Sequence, residues 1–493
     1  MGNMLAGKIW IMMGLLAVVG GCSDDPGTGP GNGLIDGVFT PAEWDKVNML
    51  SPLPAPPANP TNRYADDGAA AWLGQKLFFE TNYTGAIFRG TVDHGQIGTC
   101  CQIELHGCVS CHDPKNYFIQ TSSMPNSLTM AVIGWFKRNS PTLMNNPVYL
   151  RWNFWDGRRD TIWANVPNSE GAARASRVHI AHMIYAKYRD AYNAITDGDP
   201  NSPPLPSALD LNDPGAARFP IDAGPFSHLQ TKKDAWAAMA PADQVIVNRI
   251  LVNWGKFLEA YVRKLVTPTS PFDSYVAGDL TAISAAAKRG LLLFIGKANC
   301  IACHTGPSFS DDKFHNTGIA QSGNIAALLP DPMNAGFGVP DVGRYGAFTH
   351  PWGGPTTYAF SSNGMYSDAP AFFDYTGVVQ ADDQIGQFHT VGLRNVEHTA
   401  PYFHAGQSLT LEDVVEFYDR GGDDSGFSGV KDMLILPLHL TVDEKADLVT
   451  FLKTLTATKY PDSALLVNTA KPGPVYTTAD LPCALDTPPQ CTP

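Results

Sequence analysis

Cys108 to Pro114 reads CVSCHDP: two thiols separated by two residues, with an imidazole directly after the second. The same device returns far downstream as CIACHTG, Cys300 to Gly306. The approach to each copy is alike as well. LGQKLFF (Leu73 to Phe79) precedes the first and RGLLLFI (Arg289 to Ile295) the second. Both read as the apolar end of a helix that leads the chain to its cysteines. The first copy carries an insertion, ETNYTGAIFRGTVDHGQIGTCCQIELHG, ahead of its cysteines. A helix and device that occur twice predict two related domains, each built around its own device.

Cys-x-x-Cys-His has a specific chemical use. Haem c is attached when two thiols add across the porphyrin vinyl groups, and the spacing matches those two positions. The histidine that follows then reaches the iron from the proximal side. A zinc site would need four ligands in one neighbourhood, and a thioredoxin-like pair needs neither the histidine nor a second copy. The expectation is two covalent haems. Cys108, Cys111 and His112 hold haem 1; Cys300, Cys303 and His304 hold haem 2.

The 493 residues leave room for two to three domains, and 44% apolar with 16% charged residues is a globular composition. The 46 glycines and 39 prolines predict much irregular chain between short helices. A net charge of -13 argues against nucleic acid and anionic membrane surfaces as partners. It suits a basic or dipolar protein partner, or simply an acidic exported protein. Export is predicted by the N-terminus: Lys8, then the apolar run Ile9 to Val19, then VGGC ending at Cys22. The run is too short to span a membrane as a stable helix. The pattern resembles a bacterial lipoprotein signal over 1–21, which predicts a periplasmic or cell-envelope protein held by lipid on Cys22; ordinary secretory cleavage nearby is the alternative. Residues 22–62 are expected to be a Gly/Pro-rich tether.

Four of the nine cysteines remain after Cys22 and the two devices: Cys100, Cys101, Cys483 and Cys491. An oxidising compartment would pair them. Cys483 with Cys491 would close a short loop in the tail, 461–493, and cross-pairing with Cys100 or Cys101 stays open.

Strand-like alternation is scarce. Pro241 to Leu265 keeps helical spacing through Ile246, Ile250, Trp254, Phe257, Tyr261 and Leu265. Thr441 and Glu444 form a capping-box pattern opening TVDEKADLVTFLKTL. The fold class expected is mainly α: two helical domains, 63–270 and 271–460, with long loops and a joint around 266–280. The Gly-, Pro- and aromatic-rich region 319–385 is expected to cover a surface near the second device.

Five further stretches, RNSPTLMN, FWDGRRDTIW, KANCIACHTGPSFSDDKFHNTG, GLRNVEHTAPYFHAG and TLEDVVEFYDRGG, resemble the di-haem cytochrome c peroxidase superfamily. That superfamily includes MauG-type enzymes, which oxidise residues of a partner protein. The motifs run from about residue 70 to 457, most of the chain. The resemblance implies two class I cytochrome c-like haem domains, the first peroxidatic and the second electron-transferring, with a calcium ion between them. It implies hydrogen peroxide as substrate. Electrons would come from a small redox protein (a cytochrome c or a cupredoxin) or from a partner protein's side chains.

Carried over by position, Trp155 in FWDGR matches a tryptophan relay between the haems. Asn139 in RNSPT matches a side-chain calcium ligand, and Thr399 and Pro401 in TAPY two carbonyl ligands; oxygen donors suit calcium. The distal side of haem 1 departs from the pattern. Bacterial peroxidases of the family carry a histidine shortly before this asparagine, which blocks the iron until haem 2 is reduced; LTMAVIGWFKRNSPT has none. His179 and His182 are the nearest other candidates and are expected to face a helix surface or the core. Asn165 stands where the family has a glutamine. Glu170 is the carboxylate left to serve as acid/base, with a solvated loop residue as the alternative. At haem 2, TLEDVVEFY puts Tyr418 where other members have a methionine ligand, with Met433 as the alternative ligand. A hard tyrosine oxygen favours oxidised iron, which the resemblance associates with MauG-type chemistry. A function of another class, a non-enzymatic di-haem electron-transfer cytochrome, would require two strong axial ligands on both irons. The missing histidine weighs against it.

Overall fold

The computed structural model describes residues 33–84, 106–120, 130–131, 134–135, 138–149, 151–165, 176–227, 230–321, 341–351 and 353–472. Twelve α-helices occur among them: α1 (Pro41–Asn48), α2 (Gly68–Phe79), α3 (Cys108–Cys111), α4 (Ile162–Asn165), α5 (Arg177–Thr196), α6 (Gln230–Ala238), α7 (Pro241–Val262), α8 (Pro271–Val276), α9 (Ala285–Ile295), α10 (Arg344–Ala347), α11 (Leu411–Asp419) and α12 (Val442–Lys453). Extended structure is confined to two antiparallel pairs of two-residue strands, β1 (Met130–Ala131) with β2 (Gly134–Trp135), and β3 (Phe314–His315) with β4 (Phe388–His389). The mainly helical class expected from the sequence is what the chain adopts.

Two apolar cores organise the molecule. In the first, α2 crosses α7; in the second, α9 crosses α12. Both crossings turn on a glycine at the same place in the repeated leader sequence. A Cβ on Gly74 would lie 1.9 Å from the Phe257 carbonyl oxygen, and one on Gly290 would lie 2.0 Å from that of Asp447. Only a hydrogen at that position lets the two backbones meet. The expected caps are present as well: Pro241 opens α7, and Thr441 and Glu444 close a capping box on α12.

The repeat extends beyond the helices. Just past α7, Asn145 N–H donates to Leu265 O (3.0 Å) and Asn145 Oδ1 accepts from Thr267 N–H (2.8 Å). Just past α12, Asn395 N–H donates to Leu455 O (3.1 Å) and Asn395 Oδ1 accepts from Ala457 N–H (2.8 Å). Both asparagines are left-handed, at φ 60° and 63°. Asn145 and Asn395 also both donate from Nδ2 to Thr267 Oγ1, which joins the halves at one buried hydroxyl.

Two segments differ from the sequence-based reading. The expected tether, 22–62, contains α1, and Phe39, Trp44, Val47 and Leu50 enter the second core. Two large aromatic side chains in a Pro-rich stretch supply enough apolar area to dock it. The region around 319–385 was expected near the second device, yet Tyr358, Phe360 and Tyr366 belong to the first core. Polar contacts fix that strap: Asp160 accepts from Ser362 N–H (2.8 Å) and from Tyr375 OH, and Asp368 pairs with Lys256 (2.6 Å) and Arg63 (3.2 Å). Residues past the second core return too, since Tyr460, Leu465, Leu466 and Ala470 pack on the first. Cys22, Cys100, Cys101, Cys483 and Cys491 lie outside the described residues.

Candidate functional site

Each Cys-x-x-Cys-His device is one tight turn. His112 N–H donates to Cys108 O and His304 N–H to Cys300 O, both at 2.9 Å. The turn sets each imidazole beside its two thiols. His112 Nδ1 lies 3.0 Å from Phe118 O, and His304 Nδ1 lies 2.9 Å from Phe309 O. A carbonyl only accepts, so Nδ1 carries the proton and Nε2 keeps its lone pair for a metal. Burial lowers the pKa of both imidazoles, against the pull of those carbonyls, which keeps them neutral. Both phenylalanines are left-handed, at φ 58°. The sequence signal for this support was the recurrence of Phe shortly after each device, and it was missed.

None of the four device cysteines is in a disulfide. Burial pushes the Cys111 and Cys300 thiols up to about 12. Two thiols and a neutral imidazole with a bare Nε2, gathered by one turn, are the donor set that covalent haem c needs, and both halves present it.

The second device opens on a cavity of ≈ 300 Å³. Cys300, Cys303 and His304 line it, Phe294, Leu411, Val415, Leu448 and Leu452 give it apolar walls, and Tyr418 also faces it. Tyr418 comes from α11, whose Thr410 cap fixes the helix start. Burial, then the Cys300 and Cys303 sulfurs, pushes the Tyr418 phenol above its usual range. Its hydroxyl has no hydrogen-bond partner among the described residues. Met433, by contrast, is 84% exposed and does not line the cavity.

The cavity continues to the junction of the halves, where Trp155, Asn139, Thr399 and Pro401 line it. Trp155 Nε1 donates to Asn139 O (2.8 Å). Asn139 N–H donates to His404 O (2.7 Å) and its Nδ2 to Pro401 O (2.7 Å), while its Oδ1 is buried with no partner among the described residues. An orphaned amide oxygen is of the donor type a hard cation takes, while Pro401 O accepts from the nitrogen of the same amide. The next residue ties the junction to the first device: Ser140 Oγ donates to Cys111 O (2.7 Å) and lies 3.3 Å from His112 Nδ1. On the other side of that device, Tyr83 OH lies 3.4 Å from Cys108 Sγ.

A family model described as di-haem cytochrome c peroxidase matches residues 68–196. Cytochrome-c peroxidase IdrP1 of Pseudomonas sp. (strain SCT) is 28% identical over 410 residues, 83% of this chain and 85% of that protein. The methylamine utilization protein MauG of Methylorubrum extorquens is 33% identical over 200 residues, 41% of this chain and 43% of that one. Over residues 68–196 the chain matches the di-haem cytochrome c peroxidase family, and along most of its length it is similar to cytochrome-c peroxidases. It is a di-haem peroxidase-type oxidoreductase. Solved structures share the fold: a MauG-like protein associated with microbial copper homeostasis has a TM-score of 0.52 at 20% identity, covering 85% of this chain and 98% of that one. The diheme peroxidase BthA from Burkholderia thailandensis has 0.51 at 19%, covering 86% and 100%.

Within this di-haem peroxidase, the remaining expected site residues fall as follows. Asn165 is the last residue of α4, half-buried. Glu170 lies outside the described residues, in 166–175. His179 and His182 are buried on α5 and engaged by carbonyls: His179 Nε2 with Asn82 O (2.6 Å), His182 Nδ1 with Leu209 O (2.8 Å) and Nε2 with Phe219 O (2.9 Å). Among the described residues no helix is long and apolar enough to cross a membrane.

Proposed function

We propose that the protein is an exported, MauG-like peroxidase that reduces hydrogen peroxide at haem 1, on His112, and draws electrons through haem 2, on His304, with Tyr418 as the second ligand of haem 2. The observation that carries this reading is the pairing of a cavity-facing Tyr418 with an outward-facing Met433. The haems, when bound, supply the electrons that turn peroxide into water. Every other part is the chain's own. His112 and His304 each hold the Nδ1 proton against a phenylalanine carbonyl and present Nε2. Tyr418 brings a hard oxygen and would give up its proton to solvent only where a metal takes the proton's place, because burial disfavours the bare phenolate.

Trp155 is assigned as the charge relay, held by its indole N–H on Asn139 O. Asn139 Oδ1 with the Thr399 and Pro401 carbonyls is assigned to calcium, which would stiffen the segment that carries both the relay and Ser140. On the peroxide side, Asn165 is assigned to orient substrate and Glu170 to move the proton between the peroxide oxygens. The residues before Cys22 are assigned to export and lipid attachment. A small redox protein, or side chains of a partner protein, then returns the electrons.

The test is titration of the air-oxidised protein with one equivalent of peroxide, followed in the visible and near infrared. The unaltered protein should react without prior reduction and give a long-lived near-infrared band. Tyr418→Phe should change the haem 2 spectrum, and Tyr418→Met should raise its potential and shorten the band's life. An unchanged haem 2 spectrum in Tyr418→Phe would sink the ligand assignment, and the reading would revert to a peroxidase that must first be reduced. Chelation of calcium should slow communication between the haems.

A further inference from the structure

Two tryptophans line the junction cavity, Trp152 and Trp155, three positions apart in sequence. Their surroundings differ. Trp155 rests its N–H on a carbonyl, and no guanidinium lies over its ring among the described residues. Trp152 has two. The Arg151 and Arg344 guanidinium carbons each lie 4.3 Å from its ring centroid. Neither arginine is in an ion pair among the described residues. Arg344 Nη1 donates to the backbone oxygens of Asp156 (3.1 Å) and Gly157 (2.6 Å), and Arg151 Nη1 to that of Asp374 (2.8 Å). Arg151 Nε and Nη2 are buried without hydrogen-bond partners among the described residues, boxed in by Tyr375 (4.6 Å) as well as by Trp152.

We propose that Arg151 and Arg344 are positioning residues that confine the oxidising equivalent to Trp155 by making Trp152 hard to oxidise. This rests on the reading of Trp155 as the relay. A neutral indole attracts a cation through its electron-rich face. Removing an electron turns that attraction into repulsion between like charges, in a site where little water screens them. Two guanidiniums, buried Arg344 foremost and half-buried Arg151 beside it, therefore penalise a Trp152 radical cation, whereas Trp155 sits on the negative end of a carbonyl. The arrangement makes two nearby indoles unequal. Without it, Trp152 would be a second sink, leading away from the haems toward Phe314 and the aromatic strap.

The electron count is closed by peroxide. Its O–O bond breaks, it takes up two electrons and two protons, and it leaves as two waters. The electrons come from the haem pair, with Trp155 sharing the deficit until a donor refills it.

Holoprotein is treated with one equivalent of peroxide, without donor. The near-infrared band is timed, and peptides are mapped by mass for oxygen added to tryptophan. Arg344→Gln should shorten the band's life by at least about twofold, the factor matching the weak end of a cation–π contact, and oxygen should appear on Trp152. Arg344→Lys keeps the charge and should behave as the unaltered protein. Arg344→Gln with Trp152→Phe should restore the lifetime, which a merely structural role could not do. Arg151→Gln provides the same readout if Arg344→Gln does not fold. An unaltered lifetime in both glutamine variants, with no oxygen on Trp152, would overturn this inference alone. So would a lifetime that stays short in the double variant. Absence of the band in the unaltered protein overturns the relay reading and this inference together.

Discussion

The first half of the molecule buries His106, His179 and His182, whereas the second holds His315 between two carboxylates, with Nε2 2.9 Å from Asp311 and Nδ1 2.7 Å from Asp432. Burial lowers the three histidines of the first half, His106 and His179 to about 4. Asp311 foremost, then the Cys303 sulfur and Asp432, raises His315 to about 11. The residue type is the same, yet the surroundings invert its response to pH. A folded-state pKa below the unfolded value of about 6.5 means that the unfolded chain takes up the proton first, so stability falls as pH drops from about 6.5 toward 4. A raised value means the opposite: the contribution of His315 is complete below about 6.5 and is lost as pH climbs toward 11. His315 thus adds an alkaline weakness to the second half, which His304 and His350, lowered by burial, leave sensitive to acid as well, as His106, His112, His179 and His182 leave the first.

The strongest way to separate the halves is to remove one cofactor at a time. Cys108→Ala with Cys111→Ala should cost the whole of haem 1 and leave haem 2; Cys300→Ala with Cys303→Ala should do the reverse. Intact mass after denaturation reads each loss directly, and a variant that loses both would mean that the halves do not mature separately. Next in size is the acid limb. His179→Gln should flatten the fall in thermal stability between pH 6.5 and 4 by up to about 3 kcal/mol and leave the alkaline limb alone. Asp432→Asn should do the converse, and a variant that alters both limbs would break the comparison. Smallest is the pair of crossing glycines. Gly74→Ala and Gly290→Ala each force a Cβ against a carbonyl and should each cost about 1–3 kcal/mol, measured by denaturant titration. Equal costs would sharpen the repeat, and a large difference would show that one crossing can relax.

Much of this architecture is written locally. The two devices, the leader sequences with Gly74 and Gly290, the opening of α7 and the cap of α12 all lie within a few turns of chain, where spacing and residue type carry the signal. The place of Tyr418 beside the second device was legible because its motif aligns without a gap. The strap and α1 were not, since Tyr358 and Trp44 meet their cores across long separations that leave no periodic trace. Arg344 over Trp152 was hidden for the same reason: one partner precedes the second device and the other follows it. The carbonyls of Phe118 and Phe309 show a different limit, because a backbone acceptor has no residue type to search for.

The crossed ends of the chain make each core depend on distant sequence. The earliest helix among the described residues, α1, belongs to the second core, and the first core includes Tyr358, Phe360 and Tyr366, with Leu465 and Leu466 packed on it. Each hydrophobic interior is complete only once distant parts of the chain have met, so a chain cut short before the strap would lack part of both: the first core its strap aromatics, the second its α12.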